Sequence, residues 1–330
     1  MLAALLVTVQ MLALPLHATI EPLGSRALMT VSHAGVVAAT VTFAGFRTRP
    51  VMWTSGGSRV IGVTGWIAGF ERDGALFINS DRPVRFSGAR PRPVDLGTCE
   101  AFPHDSAGPL LAGQLDDGAL IATMRSPALV DLDDTSGQNA PVVLYLRSGL
   151  CLNEGNGIAT ATKGTYAAGY MATIDNVPSP SNVVSSNERF MALRWHVRVR
   201  EPLGSGVPLA INASGVAAGA DVPPAQGAAF AVTPHARIWI GSGTPIEPVS
   251  GNRLSVAYAI DDRGRVAGML EDAGRHYAFV WHNGTLVRLD DVAGKPGWRF
   301  ECAYAFTPSG GIVGVGTYNG RAEAFELDGL

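Results

Sequence analysis

Short apolar runs of four to eight residues, broken at close intervals by glycine, asparagine and aspartate, recur along this chain. The clearest stretch is residues 257–294, AYAIDDRGRVAGMLEDAGRHYAFVWHNGTLVRLDDVAG. Polar turns divide it into four strands, at 257–260, 265–270, 276–281 and 285–289. The first turn is Asp261-Asp262-Arg263-Gly264 and the third is His282-Asn283-Gly284. An Asn-Gly pair favours positive φ at both central positions of a tight hairpin. Residues 285–289 alternate with period two, which suits an outer strand with one solvated face. Nothing in the unit has the 3.6-residue period of an amphipathic helix. The unit is therefore a four-stranded antiparallel meander.

The same order recurs on both sides. Residues 209–222 (LAINASGVAAGADV) match the first two strands, followed by AAFAV at 228–232 and TPIEPVSG at 244–251. Downstream, residues 303–316 (AYAFTPSGGIVGVG) repeat the opening and 323–327 (EAFEL) the third strand. Earlier copies are more eroded. Their turns are placed at Gly35, Gly74, Gly108 and Gly164, ahead of third strands at 49–53, 82–86, 141–149 and 189–195. With Gly215, Gly264 and Gly310, that makes seven turn glycines, at spacings typical of β-propeller blades. EPLGS also recurs, at 21–25 and 201–205, with EPVSG at 247–251, each where a fourth strand should end.

One meander cannot bury both faces, and its edges invite pairing with other chains. Radial stacking covers both faces and leaves only short, protected edges. The expected fold is thus an all-β single β-propeller of seven blades, with six or eight left open. The last copy stops short of a fourth strand, and residues 19–24 form an orphan fourth strand ahead of the first copy. The expectation is that this N-terminal strand completes the last blade.

Residues Ala210, Ile211, Asn212 and Gly215, then Ala259, Ile260, Asp261, Gly264, Val266 and Gly268, and finally His276, Ala278, Phe279, Trp281, Gly284 and Leu289 carry a pattern. It resembles the HAF family of extracellular bacterial repeats. The match runs from about residue 209 to 327. That resemblance implies a secreted or envelope protein and brings no catalytic or binding residues with it.

Composition agrees with many short β elements. The chain of 330 residues holds 40 glycines and 21 prolines, and only 16% of it is charged. A net charge of −3 without a basic block argues against nucleic acid, whose binding rests on neutralised phosphates. Residues 1–18, MLAALLVTVQMLALPLHA, are apolar and end on small Ala18, the pattern of a secretory signal peptide, although no basic residue precedes the apolar run. The expected organisation is a signal at 1–18 and one domain at 19–330, located outside the cytoplasm, with no further membrane span and as a monomer. A buried strand or membrane anchor is the rival reading of 1–18. Three cysteines, Cys99, Cys151 and Cys302, allow at most one internal bridge; buried free thiols explain them as well.

Candidate chemistry is sparse. His104-Asp105-Ser106 lists the three members of a hydrolase triad, but neighbouring side chains cannot relay a proton as a triad does, so a turn explains it. Asp131, Asp133 and Asp134 offer alternating oxygens to calcium, yet the closing bidentate glutamate of a calcium loop is missing. No cofactor is expected, with calcium the one weak candidate. Asp290-Asp291 and Asp261-Asp262 read as solvated turn residues. Trp53, Trp195 and Trp281 fall at the end of the third strand, where they fill space between blades. Trp66, Trp239 and Trp298 fall off that register, and Trp298 is the candidate aromatic facing a ligand.

The two long insertions, 114–140 and 171–188, both fall between second and third strands and should emerge on one face, where function concentrates. The expected function is an exported, non-enzymatic propeller that binds a protein, peptide or glycan through one face. One alternative is a carbohydrate hydrolase or lyase with carboxylates from several blades in the central channel. A structural cell-surface module is the other.

Overall fold

The computed structural model describes residues 8–14, 18–19, 29–43, 47–54, 57–80, 83–88, 90–95, 110–114, 120–125, 139–145, 150–153, 158–177, 185–196, 199–221, 233–251 and 253–329. These form a single all-β propeller of seven antiparallel sheets. Sheet 1 holds Met29–Val31, Val37–Phe43, Arg47–Thr54 and Gly57–Val60. Sheet 2 holds Trp66–Phe70, Leu76–Asn79, Val84–Phe86 and Pro91–Pro93. Sheet 3 holds Leu110–Gln114, Leu120–Arg125, Asn139–Tyr145 and Leu150–Asn153. Sheet 4 holds Ile158–Lys163, Tyr166–Val177, Ser185–His196 and Val199–Ser205. Sheet 5 has three strands, Val207–Ile211, Ala217–Ala220 and Ala236–Trp239. Sheet 6 holds Ser255–Ile260, Val266–Asp272, Arg275–His282 and Thr285–Arg288. Sheet 7 holds Trp298–Phe306, Ile312–Tyr318 and Arg321–Asp328, with Thr8–Leu12 as its fourth strand.

The first strand of each sheet is innermost, and these seven strands adjoin one another in chain order until Trp298–Phe306 meets Met29–Val31. Six sheets have four or more strands, so the ring has six full blades where seven were expected, and sheet 5 has only three strands. There the fourth strand shrinks to a single bridge, in which Ile238 and Ile246 exchange both backbone hydrogen bonds. Arg237 adds an ion pair to Glu247 at 2.7 Å. The repeated EP motif gains a role from this. Glu201 of EPLGS likewise holds third-strand Arg194, with Nε 3.0 Å from the carboxylate. In both copies a glutamate from the fourth-strand position holds a third-strand arginine.

Close backbone approach explains the glycines of the second strands. Six inner strands carry a β-bulge, for example between Ala257 and Ala259 and between Pro208 and Ala210. A Cβ built on Gly219, Gly268 or Gly314 would lie 2.0, 2.0 or 2.1 Å from a carbonyl oxygen of the bulged strand. Only glycine leaves room for that crossing. The turn glycines answer to a different need. Gly35, Gly74, Gly164, Gly215, Gly264 and Gly310 all have φ between +63° and +93°.

Several expectations are corrected here. Residues 19–24 do not close the ring: Ala18–Thr19 pairs with Phe43 and Thr42 in sheet 1, and 20–24 lie outside the described residues. Thr8–Leu12, inside the expected signal segment, pairs with Arg321–Asp328 instead. In sheet 3, Leu110–Gln114 is the first strand and not the second. The connection between its first two strands is therefore 115–119, which lies outside the described residues, as does Gly108. In sheet 5 the third strand is Ala236–Trp239; AAFAV lies outside the described residues. Residues 289–293 form a one-turn helix, Leu289–Ala293, because Leu289 is fully buried and Gly294 ends the turn in the left-handed region.

The core lies between sheets. Met29, Leu209, Tyr258 and Tyr304, from the inner strands of sheets 1, 5, 6 and 7, belong to one buried cluster that also takes in Leu12. No helix among the described residues is long and apolar enough to cross a membrane.

Candidate functional site

A cavity of about 990 Å3 occupies the centre of the ring and is lined by residues from the inner strands of all seven sheets. Its mouth is built from the turns between first and second strands. In sheets 1, 2, 5, 6 and 7 these turns share one backbone pattern. Ser32, Glu71, Asn212, Asp261 and Thr307 each donate N–H to the carbonyl four residues on and accept from the turn glycine three residues on. In sheets 1, 5 and 6 the first residue then caps the turn with its own side chain. Ser32 Oγ accepts from Val36 N at 3.0 Å, and Asn212 Oδ1 accepts from Ser214 N and Val216 N. Asp261 Oδ1 accepts from Arg263 N and Arg265 N. This is the local reason for asparagine or aspartate at that position: a short side chain with an acceptor reaches the backbone two and four residues ahead.

Adjacent turns are laced together. Asn212 Nδ2 donates to Asp261 O at 3.1 Å, and Ala213 N donates to Asp262 Oδ1 at 2.9 Å. Arg265 pairs with Asp261 Oδ2 at 2.8 Å, donates to Gly310 O at 2.9 Å and lies over the Phe306 ring, 4.8 Å from its centroid. Arg194 reaches Gly215 O at 2.8 Å in the same way. Deeper in the wall, Thr160 Oγ1 donates to Pro208 O at 2.7 Å, joining the inner strands of sheets 4 and 5.

The two described acids of the cavity wall, Asp261 and Asp262, come from one turn, and both are engaged as above. Carboxylates from several sheets do not meet there among the described residues. Arg72 and Arg263, from the turns of sheets 2 and 6, and Lys163, at the end of the inner strand of sheet 4, line the mouth with side chains not engaged by any described partner, and exposed His33 joins them from sheet 1. The floor is apolar. Tyr258 and Tyr304 pack with ring centroids 4.7 Å apart, and burial pushes the Tyr304 phenol well above its usual range.

Sequence reasoning missed these mouth residues because each is one residue at or beside the turn of its own copy. Aligning copies on the turn glycine would have collected them, since His33 and Arg72 both stand two places before their glycine.

Other expected sites fare variously. Trp298 is half-buried in an aromatic cluster, stacked on Phe300 at 5.5 Å and beside Tyr318 and Phe325, and it does not line the cavity. Asp131, Asp133, Asp134 and His104-Asp105-Ser106 lie outside the described residues. Trp53 and Trp195 are buried between sheets, and Trp281 packs partly buried against a core cluster. Trp239 belongs to the same register, contrary to expectation. It stands opposite Ala217 as Trp195 stands opposite Ala167 and Trp281 opposite Val266. Asp290 is no solvated turn residue: Oδ1 accepts from Phe300 N at 2.8 Å, and burial raises its carboxyl. Cys302 is a buried free thiol whose pKa burial raises.

The 171–188 insertion leaves from the opposite face, whereas 114–140 contains the second strand of sheet 3, Leu120–Arg125, and is not one insertion between second and third strands. Tyr166–Val177 and Ser185–His196 pair over twelve positions, against seven for the matching strands of sheet 6. Aligned on Trp195 and Trp281, this hairpin has four further pairs at the end away from the cavity mouth, about 13 Å more than the hairpin of sheet 6 at about 3.3 Å per residue.

No family model matches the chain, and no curated protein matches it. Solved structures do. The β-propeller domain of the Trilobed protease from Pyrococcus furiosus, described as having an open velcro topology, aligns at TM-score 0.58 and 12% identity, over 92% of this chain and 94% of that one. An acylaminoacyl peptidase aligns at TM-score 0.58 and 14% identity, covering 91% of this chain and 50% of its own. A puromycin-hydrolysing peptidase of Mycobacterium tuberculosis aligns at 0.52 and 15%, covering 91% and 53%. The chain thus spans about half the length of those two peptidases. At these identities the likeness establishes the propeller fold alone.

Proposed function

We propose that the protein is an exported, non-enzymatic binding scaffold, which takes a polar peptide or glycan segment at the mouth of its central cavity. Counting the reduced sheet 5, the scaffold is a ring of seven units akin to the HAF-type repeats. One observation carries the reading: a 990 Å3 cavity opens among turns whose backbone groups and acids are engaged, while Arg72, Lys163 and Arg263 have no partner among the described residues. Such a mouth offers hydrogen-bond donors from several sheets on a rigid frame, which favours recognition over chemistry. The hydrolase alternative needs carboxylates from separate sheets, and among the described residues the cavity's acids share one turn.

Binding of acidic and neutral oligosaccharides and peptides, followed by calorimetry on the hits, tests the reading. The double variant Arg72→Ala, Lys163→Ala should weaken a true ligand at least tenfold with Tm unchanged. Ligands indifferent to both changes would place binding elsewhere, with the projecting hairpin of sheet 4 the next surface to examine. For export, mass spectrometry of protein from its native cell should find a mature start at Thr19; an intact Met1 refutes it.

A further inference from the structure

Sheet 7 is completed from the far end of the chain. Thr8–Leu12 runs antiparallel to Arg321–Asp328 in unbroken register, Thr8 opposite Asp328 and Leu12 opposite Ala324. Without that strand, Arg321–Asp328 would be a free edge presenting a row of backbone donors and acceptors. Two side chains anchor the occupant. Leu12, 4% exposed, enters the main core, and Val9 packs against the cluster that holds Phe300, Phe325 and Leu327. Just beyond the strand, Ala13 O accepts from Trp53 Nε1 of sheet 1 at 2.9 Å. The occupant is extended, uncharged and apolar at its two anchor positions. These are the terms of β-strand addition, in which main-chain hydrogen bonds supply affinity and side-chain pockets supply specificity.

We propose that the edge of Arg321–Asp328 is a peptide-binding site with Thr8–Leu12 as its resident occupant. Once that segment is withdrawn or removed, the site accepts an extended, uncharged apolar strand from another chain. Glu326 and Asp328 on the acceptor strand face Gln10 and Thr8 of the occupant, so a positive charge at the Gln10 position strengthens the fit. The site lies at the rim of the ring and is independent of the cavity mouth.

The test compares the full chain with a chain lacking residues 1–18, each titrated with a fluorescent peptide of residues 7–14 (VTVQMLAL). The shortened chain should bind one peptide saturably, at least tenfold tighter than the full chain. At a hundred times Kd its Tm should rise by about 5 °C. A peptide carrying Gln10→Lys should bind about threefold tighter, and one carrying Leu12→Asp should not bind. A folded shortened chain that ignores the peptide, or equal binding by both chains, overturns the proposal. Should the shortened chain unfold, recovery of its folded state by added peptide supports the proposal and failure to recover it counts against it. The full chain carrying Val9→Asp and Leu12→Asp gives a second reading, since it keeps the segment tethered while detaching it. Lack of peptide binding by that folded variant also overturns the idea. Cavity-mouth variants should leave every one of these results unchanged, so this site and the mouth fail separately.

Discussion

Replacing Gly268 by alanine separates two reasons for a glycine in this fold. The new Cβ would sit 2.0 Å from Val256 O and 3.0 Å from both Ala257 Cα and the Phe279 ring. A carbon–oxygen contact needs about 3.3 Å, so the two strands must part by more than 1 Å at the bulge. That separation costs about two backbone hydrogen bonds, near 1 kcal/mol each, together with about 1–2 kcal/mol of overpacking against fully buried Phe279. The sum is about 3–4 kcal/mol. Gly274 is the control: its φ is +73° and nothing lies within 4 Å of an added Cβ. Alanine there costs only the left-handed backbone penalty, about 1 kcal/mol. Urea denaturation should show the larger loss for Gly268→Ala, with Tm falling by about 6–8 °C against about 2 °C. Equal losses at the two positions would refute the crossing argument, because the glycine would then matter only for its backbone angle.

Other perturbations probe separate joints. Arg265→Ala removes a link to Asp261, a bond to Gly310 O and the Phe306 contact together. It should cost about 2 kcal/mol in chemical denaturation, and Arg265→Lys should recover less than half, since one ammonium cannot span the same partners; full recovery would show that charge alone suffices. Cys302, in a Cys99→Ser, Cys151→Ser background, should stay unmodified by a thiol reagent at pH 8 until denaturant is added, because it is buried and its pKa is raised by that burial; native labelling within minutes would contradict its placement. Burial, with Asp328 nearby, raises the Glu326 pKa. A raised folded value means that its protonation favours the fold: the contribution is full below the unfolded pKa and is lost as pH climbs through the folded one. Glu326→Gln should therefore raise Tm relative to wild type at pH 7, and the gain should shrink towards zero at pH 4. A gain independent of pH would assign it to something other than titration.

Periodicity made the sheets legible because each strand is short, and its turn glycine and capping side chain are local features. The first two strands of sheet 6 and the turn between them could be read residue by residue for that reason. Frame was harder. In sheet 3 a turn at Gly108 falls one strand too early, because local sequence does not say which polar turn is an inner one. Trp239 was missed for a related reason. Residues 222–232 separate second and third strands, so AAFAV took the place that belongs to Ala236–Trp239. Nonlocal facts left no trace in the residues themselves. The lacing of turn to turn, and the choice of Arg72, Lys163 and Arg263 for one mouth, arise only when copies some 45 residues apart in the chain are brought round a ring.

The first eighteen residues show how one pattern can serve two physical ends. An apolar, uncharged run ending in a small residue meets the needs of an export signal. The same run, extended, meets those of a strand laid on an open edge, where the side chains that reach the core, Val9 and Leu12, must be apolar and a charge there would be costly. Sequence alone weighs the first use by its resemblance to a leader. The structure adds the second, through Leu12 in the core and Ala13 bonded to Trp53. Both uses cannot hold for one molecule at one time, because a cut after Ala18 removes the strand that covers Arg321–Asp328. If export proceeds by cleavage, the ring arrives with that edge uncovered, and the peptide-binding site is a consequence of its own maturation. If the segment is retained, sheets 1 and 7 stay stapled and the edge is silent. Finding which N-terminus the native protein carries therefore decides which state of sheet 7 its partners meet.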